Sequence, residues 1–136
     1  MKRIYHNILI SSVIALLILV QCDPWDFKMK ITNNSNSTIY FFDSFAYPDT
    51  IIRPEENPIN IPETNSVLPG STRANRMRGS WESKFEIRDT LMIFIFDETT
   101  LRTVPWDTIR KNYMILKRYD LSLEDLVKMD WRVTYP

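Results

Sequence analysis

Beyond Gln21, carboxylates are the only side chains of this sequence that could carry conventional acid or base chemistry at neutral pH. The one histidine is His6, the one cysteine is Cys22, and the glycines are Gly70 and Gly79. That composition excludes a Ser-His-Asp triad, a Cys/His zinc cluster, an internal disulfide, a P-loop and a dinucleotide-binding glycine fingerprint. Glycoside hydrolysis needs two carboxyl groups facing each other across about 5–9.5 Å. The chain holds 17 Asp and Glu residues, but no motif pairs them. Glu82 and Glu86, four apart, share a face only on a helix, and residues 81–86 read as a strand through Trp81, Ser83 and Phe85. Asp43, Asp49, Glu55 and Glu56 are scattered, without the ligand spacing or the glycine of a calcium loop. No catalytic residue and no metal ligand is assigned, and no cofactor is expected.

Cys22 has a different chemistry open to it. Lys2, Arg3 and His6 make a basic start, and residues 8–20 are an apolar run of 13. That length suits the core of a secretion signal and falls short of the ~20 residues that span a bilayer. The ending Leu19-Val20-Gln21-Cys22 resembles a bacterial lipobox, whose cysteine is acylated and becomes the new N-terminus. Leu19 and Cys22 fit that pattern; Gln21 departs from it, standing where a small residue is usual. A lone thiol has no partner for an internal disulfide, and lipidation gives it a role. Several acyl chains on one residue exceed what stable anchoring requires. The expected layout is a signal peptide over 1–21, a lipidated cysteine and short tether over 22–26, and one β-rich domain over 27–136. Five residues of tether hold that domain within ~20 Å of the lipid surface. Trp25 then rests at headgroup level or packs on the first strand.

From Cys22 onward, 115 residues carry 15 Lys and Arg (17 less Lys2 and Arg3) against 17 Asp and Glu. One compact domain fits that length, and a near-neutral balance argues against nucleic acid. Sixteen of these residues are aromatic. Most are expected to fill a small core, leaving rings between Tyr40 and Tyr47 as candidates to stack on a sugar or a protein partner. Arg73, Arg76 and Arg78, with Arg110, Lys111, Lys117 and Arg118, read as solvated surface or as contacts to phosphates of envelope lipids or glycans. Asp49-Thr50-Ile51, Asp89-Thr90-Leu91 and Asp107-Thr108-Ile109 resemble the Asp-Thr-aliphatic acceptor of Bacteroidetes protein O-glycosylation. They make Thr50, Thr90 and Thr108 candidates, with Thr50 in a proline-rich loop the best of them.

The elements that position these residues follow from period. Phe27, Met29 and Ile31 alternate with Lys28, Lys30 and Thr32, and a turn cluster at 33–37 leads into β-rich sequence, so 27–42 reads as a hairpin. Five prolines make 44–69 irregular, with its isoleucines in brief edge strands or loops on the core. Residues 73–78 read as a solvated loop. The unbroken apolar run 91–96 suits a central strand covered on both faces. Pro105 at a first helical position starts a short helix presenting Trp106, Ile109 and Tyr113. Ile115, Lys117 and Tyr119 follow as a strand. Ser122 and Asp125 form a capping box, and Leu121 and Leu126 its hydrophobic staple. Trp131, Val133 and Tyr135 close the chain as a strand. The expected fold is mainly β: six to eight short strands in one sandwich-like domain, with two short helices near the C-terminus. The alternative is α+β, one antiparallel sheet with helices on one face.

The run 91–97, the segment 106–113, the string 116–126 and the ending 131–136 together resemble a group of small Bacteroidetes lipoproteins of uncharacterised activity. The resemblance covers the signal and the last third most clearly. It implies an envelope address and transfers no catalytic residue. The expected function is a non-enzymatic, lipid-anchored binding or assembly module outside the cytoplasm, with the outer membrane favoured over the inner. Its partners are the membrane, through the anchor, and a glycan or envelope protein. The alternative is a carboxylate-dependent hydrolase acting on envelope or dietary glycans.

Overall fold

Leu91 to Phe96 is buried along its whole length, and the fold is built outward from it. The computed structural model describes residues 25–136; the predicted signal, the predicted lipidation at Cys22 and the start of the predicted tether lie outside the described residues. In chain order the strands are β1 (Trp25–Asp26), β2 (Lys30–Asn33), β3 (Ile39–Ser44), β4 (Ser66–Val67), β5 (Thr72–Ala74), β6 (Met77–Arg78), β7 (Leu91–Asp97), β8 (Lys117–Leu121) and β9 (Arg132–Tyr135). The helices are α1 (Pro62–Asn65), α2 (Trp81–Phe85), α3 (Glu98–Thr103), α4 (Trp106–Lys111) and α5 (Leu123–Lys128). A single 3-10 turn, Pro58–Asn60, precedes α1.

The strands form a four-stranded sheet β4-β3-β7-β8, a three-stranded sheet β5-β2-β9 and the pair β1-β6. Alternation along β7 sorts its side chains between two cores. Leu91, Ile93 and Ile95 meet Ile31 and Val133 of the three-stranded sheet, together with Trp81 and Leu126. Met92, Phe94 and Phe96 turn to the opposite face, where Leu101, Ile109 and Ile52 cover them. The middle layer thus has a sheet on one side and α3, α4 and loop on the other. A strand buried on both faces needs apolar residues at every position. This is the sandwich-like, β-rich domain expected, with nine strands among the described residues and more helix than predicted.

Four local readings are corrected. Residues 27–42 are not a hairpin. β2 pairs antiparallel with β5 and parallel with β9, while β3 pairs with β4 and β7. The turn between β2 and β3 crosses from one sheet to the other around the buried Asn33. Its side chain donates to the carbonyls of Ser37 and Val67 and accepts from Ser35. Residues 81–85 are helix, because Ser80 accepts from the Ser83 N–H as an N-cap and Trp81 and Phe85, four apart, both reach the core. Over five residues, periods of 2 and 3.6 both fit such spacing. Residues 72–78 supply β5 and β6 rather than a solvated loop. Asp97 ends β7 and in the same step caps α3, accepting from the Thr100 N–H at 2.8 Å. Near the C-terminus, Pro105 stands one place earlier than predicted, as N-cap of α4. The Ser122–Asp125 capping box is present as read.

Candidate functional site

A cleft of about 500 Å³ opens between β1, β5 and the segment around α1. Its apolar lining is Trp25, Phe27 and Ile61, exposed by 52%, 53% and 54%. Its polar lining includes Asp43, Glu63, Arg73, Asn75 and Arg76. Backbone pairing places three of them. β1 is antiparallel to β6, with Trp25 opposite Arg78. Arg73 is opposite Ile31 across the β2–β5 ladder. Asn75 leaves that ladder by donating its N–H to the Met29 carbonyl at 2.8 Å.

Asp43 is the unusual acid. On β3 it follows Ile39 and Phe41 on one face, the face that carries the inter-sheet core. The Asn75 Nδ2 donates to its Oδ1 at 2.9 Å. Removal from water raises the carboxyl above its ordinary range, and the Asn75 hydrogen bond only partly opposes this.

Arginine supplies the opposite charge. Arg73 donates through Nη1 to the Glu63 carbonyl, which ties β5 to α1, and its buried Nε has no partner. Arg76 lies over the Trp25 ring with 5.3 Å from guanidinium carbon to centroid. Rings and planar polar groups side by side can grip a ligand that is apolar on one face and polar at its edges.

The predicted site residues are dispersed. Thr50 is half-exposed in the loop after β3, Thr90 lines a smaller pocket of about 280 Å³, and Thr108 is exposed on α4. Two of the three preceding aspartates have local roles: Asp49 accepts from the Ile51 N–H at 2.9 Å, and Asp107 pairs with Arg110 at 2.8 Å. In the 40–47 stretch Tyr40 and Phe41 are buried, and Tyr47 is the ring most exposed there. Arg110 and Arg118 have carboxylate partners, Asp107 and Asp120. Glu82, helical after all, is held low by the Lys28 ammonium that bonds it, and Glu86 lies exposed one residue beyond that helix. Among the described residues no three of His, Cys, Asp and Glu converge as a metal site, and no helix is long and apolar enough to cross a membrane.

The cleft itself escaped the sequence reading. Its signal was a carboxylate at an inward-facing strand position, Asp43 after Ile39 and Phe41. No family model, no curated protein and no solved structure matches the chain.

Proposed function

We propose that this protein is a non-enzymatic lipoprotein of the cell envelope, anchored through Cys22, that captures a ligand in the cleft between β1, β5 and α1. The observation that carries the reading is the cleft's lining: three exposed apolar side chains beside two arginines and a desolvated acid. Such mixed lining, with a few convergent polar groups, is what small-ligand sites share. The lipobox-like ending at Cys22 and the resemblance to small Bacteroidetes lipoproteins support the address. The mature part lacks histidine and, once acylated, a free thiol, which removes most nucleophilic routes. A glycan or an envelope protein is the proposed partner class. Thr50, Thr90 and Thr108 are proposed acceptors for O-linked sugar, with the half-exposed loop residue Thr50 first.

One observation favours the hydrolase reading: Asp43, with its raised carboxyl, shares the cleft with a second acid, Glu63. The two readings part at Asp43→Asn and Glu63→Gln. A capture module has no turnover to lose in either variant and loses about two- to tenfold in affinity in Trp25→Ala, a ring contact being worth about 0.5–1.5 kcal/mol. Hydrolysis of polysaccharide or peptide by the purified protein, abolished by either single amide, would overturn the capture reading.

A further inference from the structure

The cleft opens close to the anchor, and this bears on what fills it. Trp25 is three residues from Cys22, so their Cα atoms lie no more than about 11 Å apart however the intervening chain runs. A Cys22 carrying a diacylglyceryl group and an amide-linked acyl chain puts its own backbone at the lipid headgroups. The rim rings Trp25 and Phe27 are then held at the bilayer surface. They are half-exposed, as is Ile61 across the cleft, and Trp in particular favours the headgroup layer. Arg76 makes no ion pair among the described residues and stands over the Trp25 ring at 5.3 Å. Arg73 uses one of its five donors on the Glu63 carbonyl. Glu63 and Asp43 share the cleft with these cations, and burial raises the Asp43 carboxyl above its ordinary range.

We propose that the face bearing Trp25, Phe27, Ile61, Arg73 and Arg76 docks on the bilayer, its rings seated at headgroup level and its arginines engaging lipid phosphates. The proposal rests on the anchoring of Cys22 and replaces the glycan or envelope protein as occupant of this cleft: the cleft takes a phosphate-bearing headgroup of the membrane that holds the protein. The partnerless Nε of Arg73 and the Arg76 guanidinium over Trp25 are planar donors that match phosphate oxygens in geometry.

The test uses full-length protein purified from its own membrane and reconstituted into vesicles of phosphatidylethanolamine and phosphatidylglycerol. The chain has a single cysteine, so with Cys22 acylated one spin label can be placed at Ile61→Cys or, as reference, at Lys111→Cys. Lys111 is exposed on α4, across the four-stranded sheet from the cleft. The expected result is an Ile61 label several-fold more accessible to oxygen and less accessible to a water-soluble nickel chelate than the Lys111 label. Arg76→Glu should shift the Ile61 label toward the reference. Equal, water-like accessibility at both positions, with acylation of Cys22 confirmed by mass, would overturn the docking proposal alone. A chain that takes two labels has a free Cys22 thiol and overturns the anchoring as well. Protection of the Ile61 label by soluble polysaccharide, with none by vesicles, assigns the face to glycan and overturns the proposal.

Discussion

Asp43 shows how one residue ties the fold to the site. Its position on β3 faces the inter-sheet core, and the residue there holds the Asn75 amide in place. Because burial raises its carboxyl above the ordinary 3.8, the native state binds that proton more tightly than the unfolded chain does. Its contribution to stability is then fully present below pH 3.8 and is lost as pH rises through the native value. Asp43→Asn removes this loss. Urea unfolding across a pH series should give a wild-type curve that falls relative to the variant's above pH 3.8 and then runs parallel to it. Curves parallel throughout would mean that the carboxyl is not desolvated. Glu82 runs in the opposite sense. Its carboxyl is lowered by Lys28, so the stability of that ion pair is present above the ordinary carboxylate range and lost in acid. The pair is half-exposed, and Lys28→Met is expected to cost about 1 kcal/mol.

At the scale of elements, short helices depend on their caps and on the core beneath them. The capping box of α5 joins Ser122 and Asp125 by two reciprocal bonds, at 2.9 and 3.1 Å, and Leu121 and Leu126 staple it to the inter-sheet core. Ser122→Ala should cost about 0.5–2 kcal/mol of stability in thermal or urea unfolding. Phe94→Ala is a larger loss, because the ring is buried and stacks on Phe42 at 5.8 Å. About 3–5 kcal/mol is expected, enough to unfold a marginally stable domain. These two elements were legible because their signals are local: a capping motif, and six apolar residues in a row. The β2 partners were not. Alternation marks Ile31 as inward-facing, but nothing local tells it from a hairpin strand that its neighbours are β5 and the C-terminal β9. The parallel β2–β9 pairing joins residues a hundred apart in the chain, beyond what any turn signal reports. In α2, five residues satisfy both periods, and only Ser80 as an N-cap separated them. The cleft combines three such long-range placements, so none of its members stood out beyond the lone acid at Asp43.

For the molecule as a whole, the domain and its proposed anchor act as one device. The chain between Cys22 and Trp25 is short enough to keep the rim of the cleft near a membrane that holds Cys22. Cys22→Ala should release the protein from the membrane fraction or block its processing; a variant matured and retained like the parent would remove the basis for the anchor. The most direct measurement is the intact mass of the protein extracted from its own membrane. The account predicts a chain beginning at Cys22, heavier than its 115 residues by a diacylglyceryl group and an amide-linked acyl chain. A chain retaining residues 1–21, or one with an unmodified thiol at Cys22, would contradict it.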